Sequence, residues 1–155
     1  MTGRRDFDFL VGDWEVAHRR LKERLARSTE WETFGGTCSL RPILGGIGNF
    51  DENVIELPAG TYRASTLRLF DVARERWSIY WLDARNAGRI EPPVHGRFEK
   101  GLGLFFGDDT LRGMPMRVRF LWTVQSPGLC RWEQAFSNDG EKNWETNWTM
   151  TFTRA

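Results

Sequence analysis

The residue types that most often carry chemistry are scarce in this sequence. It contains two histidines, His18 and His95, and two cysteines, Cys38 and Cys130. A metal site needs three or four convergent His, Cys or carboxylate ligands, and neither pair has a spacing typical of such a site. Nucleophilic catalysis needs a base beside the nucleophile, and His95 is the one candidate for that base, although its surroundings favour an exposed strand residue. We therefore expect no metal and assign no catalytic residue.

Nucleotide and nucleic-acid binding are also disfavoured. No G-x-x-x-x-G-K-[ST] segment occurs, and Gly101-x-Gly103 does not precede a helical pattern. With 22 Lys plus Arg against 21 Asp plus Glu, the net charge is +1, so no strong field attracts nucleic acid or an anionic membrane. The sequence has neither the apolar segment of a signal peptide nor a run of about 18 apolar residues, so we expect no membrane insertion and a cytoplasmic location.

Aromatic residues are abundant, with 8 Trp and 11 Phe among 155 residues. Turn-forming residues punctuate the chain about every ten residues beyond Gly45-Gly46, which is typical of an antiparallel meander. The segments between them are rich in β-forming residues: 47–57, 62–70, 77–83, 94–98, 103–111, 116–124, 129–136 and 144–153. Connections this short cannot hold crossover helices. Together with two N-terminal strands, the pattern predicts an all-β fold, a single antiparallel up-and-down β-barrel of about ten strands forming one domain over residues 1–155.

The first two strands are less clear than the others. Leu21 and Leu25 stand at helical spacing within HRRLKERLAR, a stretch of good helix formers. The flanking segments instead alternate with a period of two, as strands do. We therefore predict two strands joined by a charged hairpin tip at about residues 22–28, preceded by a short N-terminal helical turn.

One parity of the predicted strands is strongly aromatic, and we assign it to the lumen because alternate residues of a barrel strand point inward. Trp144 belongs to this parity, and Gly96, Gly103 and Gly107 would make room opposite the rings. The opposite parity, which includes Asn147 and Thr149, would face solvent. A mostly apolar pocket with a few polar groups is typical of small-molecule sites. The residues predicted to bind a ligand are Arg68, Trp77, Trp81, Trp122, Trp132, Gln134 and Trp148.

Gly12-Asp13-Trp14 near the start and Arg154 near the end form a second recognisable set. This combination resembles the calycin superfamily of lipocalins and fatty-acid-binding proteins, in which a Gly-x-Trp on the first strand packs under an Arg of the last. The segments FLVGDWEV, LRLFD with RERWSIYWLD, and NWETNWTMTFTR are similar to the DUF1579-type family of small lipocalin-like proteins. The resemblance implies a barrel plug made by Gly12, Trp14 and Arg154. It does not imply haem, because the haem-binding calycins use a late-strand histidine and none follows His95.

Two functional hypotheses remain open, and we favour the first. The first is a binding protein for a small hydrophobic or amphipathic molecule, with an acid group on Arg68 and no cofactor. The second is an enzyme in the same cavity that uses Asp83, Glu133 or His95 as an acid or base.

Two alternatives limit these hypotheses. Arg68 and Asp83 could simply pair with each other at the rim. A filled barrel that acts through its surface, for instance as a homodimer, is a third interpretation of the whole chain. A cavity of a few hundred cubic ångströms would separate this third interpretation from the other two.

Overall fold

The computed structural model describes residues 3–155. Ten strands form a closed barrel in which every neighbouring pair is antiparallel and the first strand meets the last. This architecture confirms the predicted antiparallel up-and-down barrel of about ten strands. The strands are β1 (Gly12–Leu21), β2 (Trp31–Ile43), β3 (Gly48–Leu57), β4 (Gly60–Asp71), β5 (Arg76–Asp83), β6 (Val94–Glu99), β7 (Leu102–Leu111), β8 (Met114–Ser126), β9 (Leu129–Ser137) and β10 (Glu145–Arg154).

Short turns fix the registers of these strands. In the β6–β7 and β7–β8 hairpins both loop residues have positive φ, at Lys100 (52°) and Gly101 (81°), and at Arg112 (51°) and Gly113 (78°). Two-residue loops of this kind match the right-handed twist of the flanking strands. The glycines take the second position because they adopt positive φ without a steric penalty.

The N-terminal segment forms two strands, and the helical alternative is not adopted. β1 and β2 pair from Gly12 opposite Leu40 to Leu21 opposite Trp31. Residues 22–30 connect them, and Leu25 has a φ of 51°, which is incompatible with a right-handed helix. A single 3-10 turn at Asp8–Leu10 precedes β1, as the sequence predicted.

Aromatic side chains fill the end of the barrel that the N-terminal turn closes. Phe7 lies at its centre and is 2% exposed. Its ring packs edge-on against Trp77 and Phe98, each with ring centroids 5.0 Å apart, and against Trp122 at 6.0 Å. Edge-to-face contacts of this kind stabilise a core beyond the area that they bury. This half of the barrel is therefore a packed core.

The glycines of the aromatic parity serve this close packing, and the expectation that they open space in the lumen was wrong. A Cβ atom on Gly103 would lie 2.7 Å from Cζ of Phe98. A Cβ atom on Gly96 would collide with the backbone carbonyl of Leu104 on the neighbouring strand. Both positions therefore need glycine because ring or backbone atoms already occupy the adjacent volume.

A β-bulge in β10 changes which side chains face inward. The pairing with β9 shifts between Thr146 and Trp148, so Asn147 is the extra residue of the bulge and is fully buried. Such a bulge places two consecutive residues opposite one. Trp144, before the bulge, lies outside the lumen, where the guanidinium of Arg119 covers its ring at 4.7 Å. The predictions of an inward Trp144 and a solvent-facing Asn147 were therefore wrong. Thr149 is also buried, although it was expected to face solvent.

Candidate ligand-binding cavity

The barrel half opposite the N-terminal turn encloses a cavity of about 290 Å³. This volume lies just below the range of about 300–1,000 Å³ that is usual for small-molecule sites. It meets the criterion that keeps the binding and catalytic hypotheses open. Its apolar wall consists of Ile79, Trp81, Val94, Leu111, Met116, Val118, Phe120, Trp122, Trp132, Phe136, Trp148, Met150 and Phe152.

Six of the seven predicted ligand-binding residues lie on the wall of this cavity, namely Arg68, Trp81, Trp122, Trp132, Gln134 and Trp148. Trp77 does not. It is 1% exposed, packs on Phe7, and donates its indole N–H to the carbonyl of Gly3 at 3.0 Å. Trp77 therefore belongs to the packed half of the barrel.

The aromatic rings of the wall hold one another in place. Trp132 and Trp148 are nearly perpendicular, at 87° with centroids 5.4 Å apart, and Trp81 meets Trp148 at 85° and 5.9 Å. Phe120 packs on Trp132 at 5.0 Å. This chain of edge-to-face contacts orders the wall without a ligand, which reduces the entropy lost on binding.

A buried ion pair lies on the floor of the cavity. Nη1 of Arg68 is 3.0 Å from Oδ2 of Asp51, and both side chains are at most 4% exposed. The other oxygen of Asp51 accepts hydrogen bonds from Nδ2 of Asn53 and the backbone N–H of Thr66, both at 2.7 Å. Nη1 of Arg68 also donates to Oδ1 of Asn49 at 3.0 Å. The charge of Arg68 is therefore compensated within the protein.

The sequence did not identify Asp51, and Arg68 does not pair with Asp83 as the rim alternative proposed. A usable signal existed in the β3–β4 hairpin, whose register sets Asn49 opposite Arg68 and Asp51 opposite Thr66. An inward Arg68 therefore implies an inward Asp51. In the β4–β5 pair, Ile79 stands opposite Arg68, and Trp81 lies two residue pairs away, opposite Thr66.

Arginines form one side of the cavity mouth. The guanidinium of Arg20 stacks on the ring of Trp148, with Cζ 4.6 Å from its centroid. Burial, followed by the charge of nearby Arg24, lowers the pKa of Arg20 to about 10, so Arg20 is still a cation at neutral pH. Arg85 lies over the ring of Tyr62 at 3.5 Å and pairs with Asp83 at 2.8 Å.

Carboxylates line another part of the mouth. Glu91 and Asp109 both face Arg89, whose Nη2 lies 3.8 Å and 3.7 Å from their carboxylate oxygens. Burial raises the pKa of Glu91, and the neighbouring Asp109 raises it further. The mouth therefore has a basic part and an acidic part.

The three acid or base candidates do not assemble into one site. Only Asp83 lines the cavity. Burial raises its pKa, but the hydrogen bonds and charge of Arg85 outweigh that effect, so the net pKa lies below the usual value. Glu133 pairs with Arg131 at 3.1 Å, and His95 is hydrogen-bonded through Nδ1 to Oγ of Ser78 at 2.8 Å. Neither of them lies on the cavity wall, so the expectation that they act in the cavity was wrong.

His18 is a buried residue that the sequence did not identify as part of this region. It is 4% exposed, and its ring stacks on Phe34 with centroids 4.7 Å apart. Its Nδ1 accepts a hydrogen bond from Nε1 of Trp148 at 3.0 Å. Burial, followed by the charge of Arg20, lowers the pKa of His18 to about 4, so the ring is neutral at physiological pH.

The barrel wall has its fewest paired residues between β5 and β6, which border the cavity. Only three residue pairs join these strands, ending at Ile79 opposite Val94. A single bridge between Leu82 and Ile90 follows. Pro92 and Pro93 lie between these contacts and have no N–H to donate, so they interrupt the ladder.

At the end of the barrel that the N-terminal turn closes, the three residues predicted to form the plug, Gly12, Trp14 and Arg154, lie in contact. Cζ of Arg154 lies 4.1 Å from the ring centroid of Trp14. The same guanidinium donates to the carbonyls of Val11 and Phe9, at 2.9 Å and 3.1 Å. Gly12 has a φ of 119°, and a Cβ there would lie 2.7 Å from Nη1 of Arg154. Glycine is therefore needed both for the backbone conformation and for the close approach of Arg154.

Residues 3–155 lack two further features, a metal-binding cluster and a membrane-spanning helix. No group of three or more His, Cys, Asp or Glu side chains in that range is arranged to hold a metal ion. No helix in the same range is long and apolar enough to span a membrane.

Comparison with known proteins identifies the fold. No protein-family model and no curated protein matches the chain. Among solved structures, the chain is similar to the S-type phycobiliprotein lyase CPES from Guillardia theta, with a TM-score of 0.62 and 12% sequence identity over 96% of this chain and 90% of that chain. At this identity the likeness concerns the fold alone, which is a closed antiparallel barrel of ten strands.

Proposed function

We propose that this protein binds a small amphipathic molecule in the open half of its barrel. The observation that carries the proposal is the cavity of about 290 Å³, whose aromatic wall is already ordered and whose mouth is polar. An apolar body would lie against Trp81, Trp132 and Trp148. Apolar cavities with a few placed polar groups are the usual form of small-molecule sites.

Binding is favoured over catalysis by the arrangement of the ionisable groups. An acid-base mechanism needs a group that can exchange a proton near the working pH and reach the substrate. Asp83 is the one candidate of the three on the wall, and it is held ionised by Arg85. Neither of the other two candidates, Glu133 and His95, lies on the wall to complement it.

The similar lyase suggests one further ligand class. That protein is named for phycobiliproteins, so a bilin is a reasonable probe of this barrel. The resemblance to the DUF1579-type family adds no ligand, and we propose neither lyase activity nor a cofactor. Biliverdin tests for a bilin ligand, and smaller aromatic acids test for a small amphipathic ligand.

Native mass spectrometry of the protein purified from its own host tests for a ligand that travels with it. A second test titrates the neutral dye N-phenyl-1-naphthylamine and follows its emission together with quenching of tryptophan. We expect saturable binding. Trp132→Leu should weaken it several-fold because it removes part of the wall, whereas Trp144→Leu, on the outer face, is the matched control and should leave it unchanged. Absence of saturable dye binding would contradict the proposal.

A further inference from the structure

The cavity mouth contains cations that the protein does not neutralise. The charged residues on the cavity wall are Arg20, Arg24, Asp51, Arg68, Asp83, Arg85, Glu91 and Asp109. Arg68 pairs with Asp51, Arg85 with Asp83, and Arg89 serves both Glu91 and Asp109. Within the described part of the chain, no ion pair within 4.0 Å involves Arg20 or Arg24. These two arginines are therefore the uncompensated charges of the cavity.

Arg20 also has unused hydrogen-bonding capacity. Its Nε is buried and has no partner among residues 3–155. Glu32 is its cross-strand neighbour on β2 but lies beyond ion-pair distance. Arg24 donates only weakly, from Nη1 to the carbonyls of Leu21 and Lys22 at 3.3 Å. Buried donors of this kind are normally satisfied, by protein, by ordered water or by a ligand.

A second unpartnered donor lies near the same corner. The hydroxyl of Tyr62 is buried and has no hydrogen-bond partner within the described residues. The guanidinium of Arg85, which lines the cavity, lies 3.5 Å from the ring centroid of Tyr62. Burial raises the pKa of Tyr62, and the charges of Arg85 and Arg20 oppose that rise. The corner is therefore rich in donors and poor in acceptors.

The aromatic wall connects directly to this corner. The guanidinium of Arg20 covers the ring of Trp148, which in turn contacts Trp132 and Trp81. A molecule lying along these rings would bring its end group to Arg20. An anionic oxygen suits that position because a guanidinium offers several donors in a fixed fork.

We propose that Arg20, assisted by Arg24, is the subsite that binds the carboxylate of a small amphipathic acid whose apolar part lies along the tryptophan wall. This inference rests on the proposed binding function and adds the chemical class of the ligand. It assigns the anion to the mouth and not to Arg68, whose Nε is also buried without a partner among the described residues but whose charge is already neutralised by Asp51.

The test uses two ligands that differ only in charge, 1-naphthylacetate and 1-naphthylacetamide, each displacing N-phenyl-1-naphthylamine at pH 7. In the wild type the acid should bind more tightly than the amide. Arg20→Gln should lower the affinity for the acid roughly ten- to a hundredfold, the range expected for the loss of a hydrogen bond to a charged group. The affinity for the amide should change less than about twofold, because a neutral end group does not rely on the charge of Arg20.

Matched variants keep the result interpretable. Arg19→Gln removes the same charge from the adjacent residue, which lies outside over Trp31, and should have no effect. Arg20→Lys retains the cation without the fork and should retain part of the preference for the acid. Arg24→Gln, in the β1–β2 turn, should also lower the affinity for the acid. It provides a test if the β1 variants do not fold.

The outcomes separate the subsite from the function on which it rests. Equal affinities of the two ligands for the wild type, or equal losses for both in Arg20→Gln, would overturn the subsite while neutral dye binding still supports the cavity. A wild-type protein that fails to bind the neutral dye would overturn the proposed function, and the subsite with it.

Discussion

Trp148 donates its indole N–H to Nδ1 of His18 in the barrel interior, at a distance of 3.0 Å. Only an unprotonated Nδ1 can accept this bond. The contact therefore couples the charge state of one of the two histidines in the chain to the position of a cavity-wall tryptophan.

This contact predicts a pH dependence of stability. The pKa of His18 is about 4 in the folded protein against a usual value of 6.5. Between these values the unfolded chain binds the proton and the folded protein does not, so the free energy of unfolding rises with pH in that window. The contribution is fully present above about pH 6.5 and is lost as the pH falls towards 4. It amounts to about 3 kcal/mol at most, and urea unfolding at several pH values measures it.

Two variants control this measurement. His18→Gln should flatten the dependence between pH 4 and 6.5. His95→Gln should leave most of the pH dependence in place, because His95 is only partly buried and its pKa is lowered less strongly than that of His18. An unchanged slope in His18→Gln would show that another group is responsible.

The plug predicts a large loss of stability in Trp14→Ala. Trp14 is 2% exposed, bonds the carbonyl of Leu10 at 2.9 Å and lies beneath Arg154. A large-to-small change at such a site costs about 3–5 kcal/mol. Chemical denaturation should show this loss, and Trp144→Ala on the outer face should cost less. A loss below about 1 kcal/mol for Trp14→Ala would refute the plug.

The buried ion pair predicts strong coupling between Asp51 and Arg68. Asp51→Asn alone leaves the guanidinium of Arg68 buried without its counter-charge, and removing one partner of such a pair costs about 3–5 kcal/mol. The double variant Asp51→Asn, Arg68→Met removes both charges and should cost clearly less than the sum of the single changes. A double-mutant cycle in urea measures the coupling, and additive losses would contradict it.

The two cysteines should be unreactive in the folded protein. Both are free and buried, and burial raises the pKa of each thiol, that of Cys130 to about 12. Since the thiolate is the reactive form, a disulfide reagent such as DTNB at pH 8 should label neither Cys38 nor Cys130 without denaturant. Both should react in urea, and rapid native labelling of either would contradict this arrangement.

The strand positions were predictable because the turns carry their own sequence signals. The predicted segments 77–83 and 129–136 differ from β5 and β9 by one residue at one end. Glycine, proline and polar residues at the connections have local physical reasons to turn. The regular spacing of these turns, about every ten residues, also made the antiparallel barrel predictable.

The polar interior was harder to predict. β3 carries Asn49, Asp51 and Asn53 on the inward face, while Phe50 and Val54 lie on the other parity. Such a strand offers no clear apolar face. Asp51 is stable inside the barrel because it pairs with Arg68 and accepts hydrogen bonds from Asn53 and from the Thr66 N–H.

The bulge at Asn147 had no comparable signal. One added residue reverses the parity of everything before it, so Trp144 moved from the predicted lumen to the outer face. Periodicity alone cannot locate an inserted residue, because the sequence on either side of it keeps its own alternation.

The pairing of β1 with β10 also sets the order in which the chain can fold. The hairpins between successive strands form from nearby residues, but the pairing that closes the barrel sets Trp14 of β1 opposite Arg154 of β10, 140 positions later in the sequence. Long-range pairing of this kind forms slowly because a long loop must close first. During synthesis on a ribosome, β1 therefore keeps an exposed edge until β10 has emerged, and the final strand converts an open, association-prone sheet into a barrel without edges.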